Sequence, residues 1–142
     1  YPPEEAVEFA QTLHRHALDP IFLLAPTSSE ARMTQVGALA SGYIYYVSLK
    51  GVTGSAALDV AAVAARIPEI RARTGVPVGV GFGIRDAATA AAVAELADAV
   101  VIGSRIIEEI EQSPSDKVCA NVGTLVDAIR RAMDAAVSRG QA

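Results

Sequence analysis

Four short runs of this chain carry almost no polar side chain, and their spacing limits the fold more than any other feature. They are Pro20-Ile21-Phe22-Leu23-Leu24-Ala25-Pro26, Tyr43 to Val47, Val76 to Ile84, and Asp98-Ala99-Val100-Val101-Ile102. A strand apolar on both sides of its pleat is expected to be buried on both faces, as in parallel sheets flanked by helices. The intervening segments read as helices. Pro2-Pro3-Glu4-Glu5 opens the first, with Ala6, Phe9, Ala10, Leu13 and Ala17 along one face. Thr27-Ser28-Ser29-Glu30 offers N-caps for a second running to about Leu39, which Gly37 weakens slightly. A third spans about Leu58 to Arg73; Pro68 is expected to kink or divide it, and Thr74-Gly75 closes it. Asp86 caps an Ala-rich helix from Ala87 to about Leu96. A short helix, Ile106 to Glu111, and a long one, about Val118 to Ser138, complete the chain. Strict α-β alternation with apolar strands demands parallel pairing through right-handed crossovers.

The expected fold class is therefore α/β, a single domain over residues 1–142, with four parallel strands. The strand-to-strand rhythm is that of a (βα)8 barrel, in which each unit takes roughly 30 residues. An open flavodoxin-like sheet fits the strand count equally. It would leave two apolar edges without the charge or proline that normally protects an edge. The chain also opens on Tyr1, and its first methionine is Met33. Together these features lead us to expect the C-terminal half of a barrel from a longer protein.

The remaining bulk properties exclude several functions. A net charge of −4 leaves no basic footprint for nucleic acid. No apolar run approaches the roughly 20 residues of a membrane span. Cys119 is alone, which rules out an intrachain disulfide and makes the reducing cytoplasm the expected compartment. His14 and His16 lie near the end of the first helix, where imidazolium complements the carbonyl terminus; neither has metal-ligand spacing to Cys, His or carboxylate.

Chemistry is expected at three glycine loops that leave consecutive strands at their C-terminal ends: Gly51-Val52-Thr53-Gly54, Gly81-Phe82-Gly83-Ile84 and Gly103-Ser104. Glycine lets backbone N–H groups approach an anion with no Cβ in the way. Gly103-Ser104 also opens a helix, adding the N-terminal dipole and a hydroxyl. The three form a candidate phosphate cradle that needs no lysine or arginine. Gly79-x-Gly81-x-Gly83 fails the dinucleotide spacing, and no G-K-[ST] P-loop is present. Tyr45 shares a strand face with Tyr43 and Val47, opposite Tyr46, and is expected to line a ligand pocket together with Phe82 and Leu23.

A carboxylate or histidine at a strand's C-terminal end, needed for acid–base work, is missing. Asp98 begins its strand, Asp59 and Asp86 read as helix caps, and Glu4 and Glu5 fall in a first helical turn. Lys50 reads as a solvated loop charge rather than a Schiff-base amine. The expectation is a binding site without a catalytic pair.

Taken in order, Pro2-Pro3-Glu4-Glu5, Pro20 to Thr27, Gly42-Tyr43-Ile44-Tyr45-Tyr46-Val47-Ser48 with Gly51 to Gly54, Val80-Gly81-Phe82-Gly83-Ile84 and Ala99 to Ser104 resemble the C-terminal half of the tryptophan synthase α subunit, most closely its bacterial members. The resemblance implies a (βα)8 barrel lyase of tryptophan biosynthesis that cleaves indole-3-glycerol phosphate to indole and glyceraldehyde 3-phosphate by a retro-aldol step, without metal or organic cofactor. It assigns phosphate contact to Gly54, Gly83, Gly103 and Ser104, and the substrate pocket to Tyr45, Thr53, Phe82 and Leu23. The family's acid–base pair, a Glu and an Asp, belongs to the N-terminal half, so no catalytic residue is assigned in this chain. It further implies a pyridoxal-phosphate β subunit as partner, in an α2β2 complex. The alternative reading is a non-catalytic sugar-phosphate-binding half-barrel that self-associates to cover its edges and inner face.

Overall fold

The computed structural model describes residues 1–48, 59–81 and 83–140. A 3-10 turn, Pro3–Glu5, leads into α1 (Val7–Arg15), followed by β1 (Phe22–Leu24), α2 (Glu30–Leu39), β2 (Ile44–Val47), α3 (Val60–Thr74), β3 (Val78–Gly81), α4 (Ala87–Ala94), β4 (Ala99–Val101), α5 (Ser104–Gln112) and α6 (Val118–Gly140). The strands form one parallel sheet in the order β1-β2-β3-β4. This is the chain order and pairing that the apolar runs led us to expect.

The register sorts the side chains into two faces. Phe22, Ile44 and Val78 lie side by side, as do Leu24, Tyr46, Val80 and Val100. These residues join Met33 and Val36 of α2, Val63, Ile67 and Ile70 of α3, Ala90 and Val93 of α4 and Ile129 of α6 in one core. Burying each large aliphatic side chain is worth about 1.5–3 kcal/mol. The other face carries Leu23, Tyr45, Gly79 and Ala99 in one row and Val47, Gly81 and Val101 in the next. None of these seven belongs to that core. Leu23 is 59% exposed and Tyr43 37% exposed. The expectation of strands buried on both faces holds for β3, buried at all four positions, and is corrected for the other strands: among the described residues the helices that build the core cover one face only. β1 alternates buried, exposed, buried along Phe22-Leu23-Leu24.

Helix ends follow their capping chemistry. Ser29, Asp59 and Asp86 each accept a backbone N–H from the third residue beyond: Arg32 at 3.3 Å, Ala62 at 3.0 Å and Thr89 at 2.7 Å. Gly75 (φ 69°) ends α3, as expected. Pro68 does not divide that helix, which runs unbroken from Val60 to Thr74. Buried Ile67 and Ile70 on either side of the proline hold it against the sheet, which offsets one missing N–H donor.

The first helix is shorter than its periodicity suggested. Its opening is the separate 3-10 turn, and it stops before Ala17. Leu18 N–H donates to the Leu13 carbonyl and Ala17 N–H to that of His14, both at 3.0 Å, the two bonds of a Schellman ending. Ala17 sits at the left-handed position of that ending, with φ 54°. Gly37 turns out to be required by packing. A Cβ there would lie 2.6 Å from the Arg73 carbonyl oxygen and 2.8 Å from Thr74 Cα, so α2 and α3 touch backbone to backbone.

Candidate functional site

The C-terminal ends of β2, β3 and β4 open on one cleft of about 240 Å3, lined by Tyr45, Gly83, Ile84, Arg85, Val101, Gly103 and Ser104. The G-x-G-x-G run of β3 has a steric meaning here. A Cβ on Gly79 would come within 3.2 Å of the Tyr43 ring, and one on Gly81 would come within 2.8 Å of Tyr45 Cζ. Two tyrosine rings therefore lie across two glycines, which aims Tyr45 along the open face into the cleft. Tyr46, one residue on, points into the core and is 2% exposed. Burial raises its hydroxyl pKa, an effect partly offset by the Arg66 charge.

The cleft walls are fixed by short-range bonding. Ser48 is buried at the exit of β2, and its amide (3.2 Å) and hydroxyl (3.0 Å) both donate to the Gly81 carbonyl. Gly83 takes φ 74°, a left-handed turn that disfavours any side chain. Ile84 is 4% exposed and anchors the loop in the core. On the far wall, Gly103 is the N-cap of α5 and Ser104 its first residue. No side chain caps this end. The first N–H groups of a helix have no intrahelical acceptor, so this end is suited to an anion. A Cβ on Gly103 would meet nothing within 4 Å, so the space in front of it is open cleft.

Among the sequence-predicted site residues, Tyr45, Gly83, Gly103 and Ser104 share this cleft. Leu23 does not line it. It stands beside Tyr45 in the register, one strand away, and lines a separate cavity with Ala25, Ser28, Arg32 and Val47. Thr53, Gly54 and Phe82 lie outside the described residues, as does Lys50. Sequence reasoning missed two contributors. Ser48 gives no signal beyond a polar residue ending an apolar strand. Arg85 had one, a charge directly after the Gly83-Ile84 turn. Arg85 lines the cleft, and its guanidinium pairs with Glu108 of α5.

Acids elsewhere are committed to structure. Asp98, at the opposite end of β4, accepts the Val78 N–H at 2.8 Å and pairs with Arg71 at 2.9 Å. Its partial burial pushes the carboxyl pKa up, but the Val78 amide and the Arg71 guanidinium outweigh that and hold it below the usual value. Asp86 is lowered by the Thr89 backbone N–H that it caps. None of the described residues lining the cleft is a carboxylate or an imidazole. His14 lies outside the cleft, with Nε2 3.0 Å from the Ser41 hydroxyl, which donates to Asp19 at 2.6 Å. No group of three or more His, Cys, Asp or Glu arranged for a metal occurs among the described residues, and no described helix is long and apolar enough to cross a membrane.

Residues 1–137 match the family model for the tryptophan synthase alpha chain. The chain belongs to that family. It is 65% identical over 134 residues to the tryptophan synthase alpha chain of Dechloromonas aromatica, and 64% identical over 134 residues to that of Aromatoleum aromaticum. Each match covers 94% of this chain, and 50% and 49% of the relative. Among solved structures, the tryptophan synthase subunit alpha of Legionella pneumophila superposes with a TM-score of 0.79 at 36% identity, over 94% of this chain and 49% of that one. Tryptophan synthase of Mycobacterium tuberculosis gives 0.79 at 29% identity with the same coverage. The chain therefore spans about half the length of the tryptophan synthase alpha chains it matches. Its four parallel strands and their helices supply half of a (βα)8 barrel.

Proposed function

We propose that this chain is the phosphate- and indole-binding half of an indole-3-glycerol-phosphate lyase, acting in tryptophan biosynthesis. The observation that carries this is the convergence of Gly83, Gly103, Ser104 and Tyr45 on one cleft at the C-terminal end of the sheet, in a chain of the tryptophan synthase alpha chain family. The left-handed Gly83 turn and the α5 N-terminus present backbone N–H groups to a phosphate from two walls. Tyr45 leans from the open sheet face toward the same space and is suited to flank the indole end of the substrate. By family resemblance Thr53, Gly54 and Phe82, outside the described residues, belong to the same assignment, and Leu23 supplies apolar surface one strand away.

Retro-aldol cleavage breaks the bond between the indole ring and the glycerol side chain. A base removes the proton of the side-chain hydroxyl, its electrons form the aldehyde, and an acid protonates the ring carbon that leaves. We assign both proton transfers to groups outside these 142 residues, since Asp59, Asp86 and Asp98 are engaged in capping α3, capping α4 and bridging to Arg71. This chain's part is to hold the phosphate tail and so fix the reacting carbon. The domain assignment is one unit over residues 1–142. The proposed compartment is the cytoplasm, and the proposed partner of the whole enzyme is a tryptophan synthase β subunit. The names of the relatives described above, tryptophan synthase or its alpha chain, favour this reading over a non-catalytic, self-associating anion binder.

The test is Gly103→Val. Gly103 has a negative φ of −117° and open space where the side chain would go. The variant should fold with unchanged helix content and lose glycerol 3-phosphate binding, followed by amide chemical shifts at Ser104. Unaltered affinity would sink the cradle.

A further inference from the structure

Arg85 is the one charged side chain among the described residues that line the cleft. Its place is firmly set: Ile84 before it is buried in the core, and Asp86 after it caps α4. Its guanidinium donates to Glu108 Oε1 on α5, one helical turn beyond Ser104 and on the same helix face. The ion pair thus ties the loop after Gly83 to α5, the helix whose first residue, Ser104, lines the cleft. Both partners are solvent-accessible, 52% and 33% exposed, so the bridge is of the weak, screened kind.

Backbone amides and a hydroxyl offer a phosphate hydrogen bonds but no full positive charge. A phosphate dianion in the cleft would compete with the Glu108 carboxylate for the Arg85 guanidinium. Guanidinium–phosphate pairs form two parallel charge-assisted bonds and are stronger than an exposed pair to a carboxylate. Resting on the phosphate reading above, we propose that Arg85 is a phosphate-binding residue that exchanges its Glu108 partner for the substrate phosphate. Glu108 keeps the guanidinium at the rim when the cleft is empty and lowers affinity for weakly charged anions, so the pair selects for a dianionic tail.

The two residues of such a pair have opposite effects, whereas those of a merely structural bridge do not. Inorganic phosphate is titrated into the 142-residue chain near neutral pH, read by amide chemical shifts at Gly103 and Ser104. Arg85→Gln should weaken binding roughly tenfold and flatten its salt dependence. Glu108→Gln should tighten it roughly threefold, and that gain should shrink when Arg85→Gln is also present. Circular dichroism checks that each variant keeps its helix content. Wild-type affinity in Arg85→Gln, or equal weakening in both single variants, overturns the proposal while leaving the cradle intact. No phosphate binding by the unaltered chain overturns both readings.

Discussion

Replacing Gly37 with alanine tests whether α2 and α3 meet backbone to backbone. In an ordinary helix interior this change stabilises by about 1 kcal/mol, because alanine is the better helix former. Here the new methyl would sit 2.6 Å from the Arg73 carbonyl oxygen and 2.8 Å from Thr74 Cα, against a comfortable separation of about 3.5 Å. Neither atom can rotate away, since both are main chain near the end of a helix whose Thr74 is 7% exposed. Forcing helices apart in this way costs about 1–3 kcal/mol. The net expectation is a loss of about 1 kcal/mol, or a fall in Tm of roughly 4 °C. Gly123 of α6 is the control, because a Cβ there meets nothing within 4 Å. Gly123→Ala should raise stability by up to about 1 kcal/mol. Urea unfolding followed by circular dichroism reads both. If the two substitutions shift the midpoint in the same direction, the close approach of α2 and α3 is wrong.

Ala17 occupies the left-handed position at the end of α1, so Ala17→Gly should relieve about 1 kcal/mol of strain and return about half of it as unfolded-state entropy. A rise in Tm of about 2 °C is expected, and a fall would contradict the Schellman geometry. Asp98 has a folded-state pKa below its ordinary 3.8. Its contribution is therefore complete above that value and lost as pH falls through the lower folded pKa. With its side chain 41% exposed, Asp98→Asn should cost only about 1 kcal/mol at neutral pH. The gap between the two proteins should narrow as pH falls below 3.8 through the lowered folded pKa, as acid-unfolding curves would show.

Much of this molecule was legible in advance because its local signals agree with one another. The serine and aspartate caps stand where the helices begin, and each apolar run became a strand in the expected order. Where reading failed, a tertiary term had won over a local one. Pro68 forecasts a break only if its helix stands alone; Ile67 and Ile70, both 1% exposed, keep the element whole. Phe9 lies on the apolar stripe of α1, yet it is 49% exposed and stacks on Tyr1 at 5.4 Å, while Ala6 and Ala10 are buried. Periodicity finds a face but does not say how deeply each of its residues is set.

By itself the sequence determined the α/β class, the parallel order of the strands, the family and the glycines at the sheet's C-terminal edge, because each follows from local chemistry or from the order of motifs along the chain. The tertiary structure decided which of those residues meet. It put Tyr45, Gly83, Gly103 and Ser104 around one cleft and left Leu23 beside another. It also turned the G-x-G-x-G run into seats for two tyrosine rings and set Arg85 against Glu108. These are matters of register, of the angle at which each strand's side chains lean, and of separations across 20 or more positions in sequence. No local pattern encodes them.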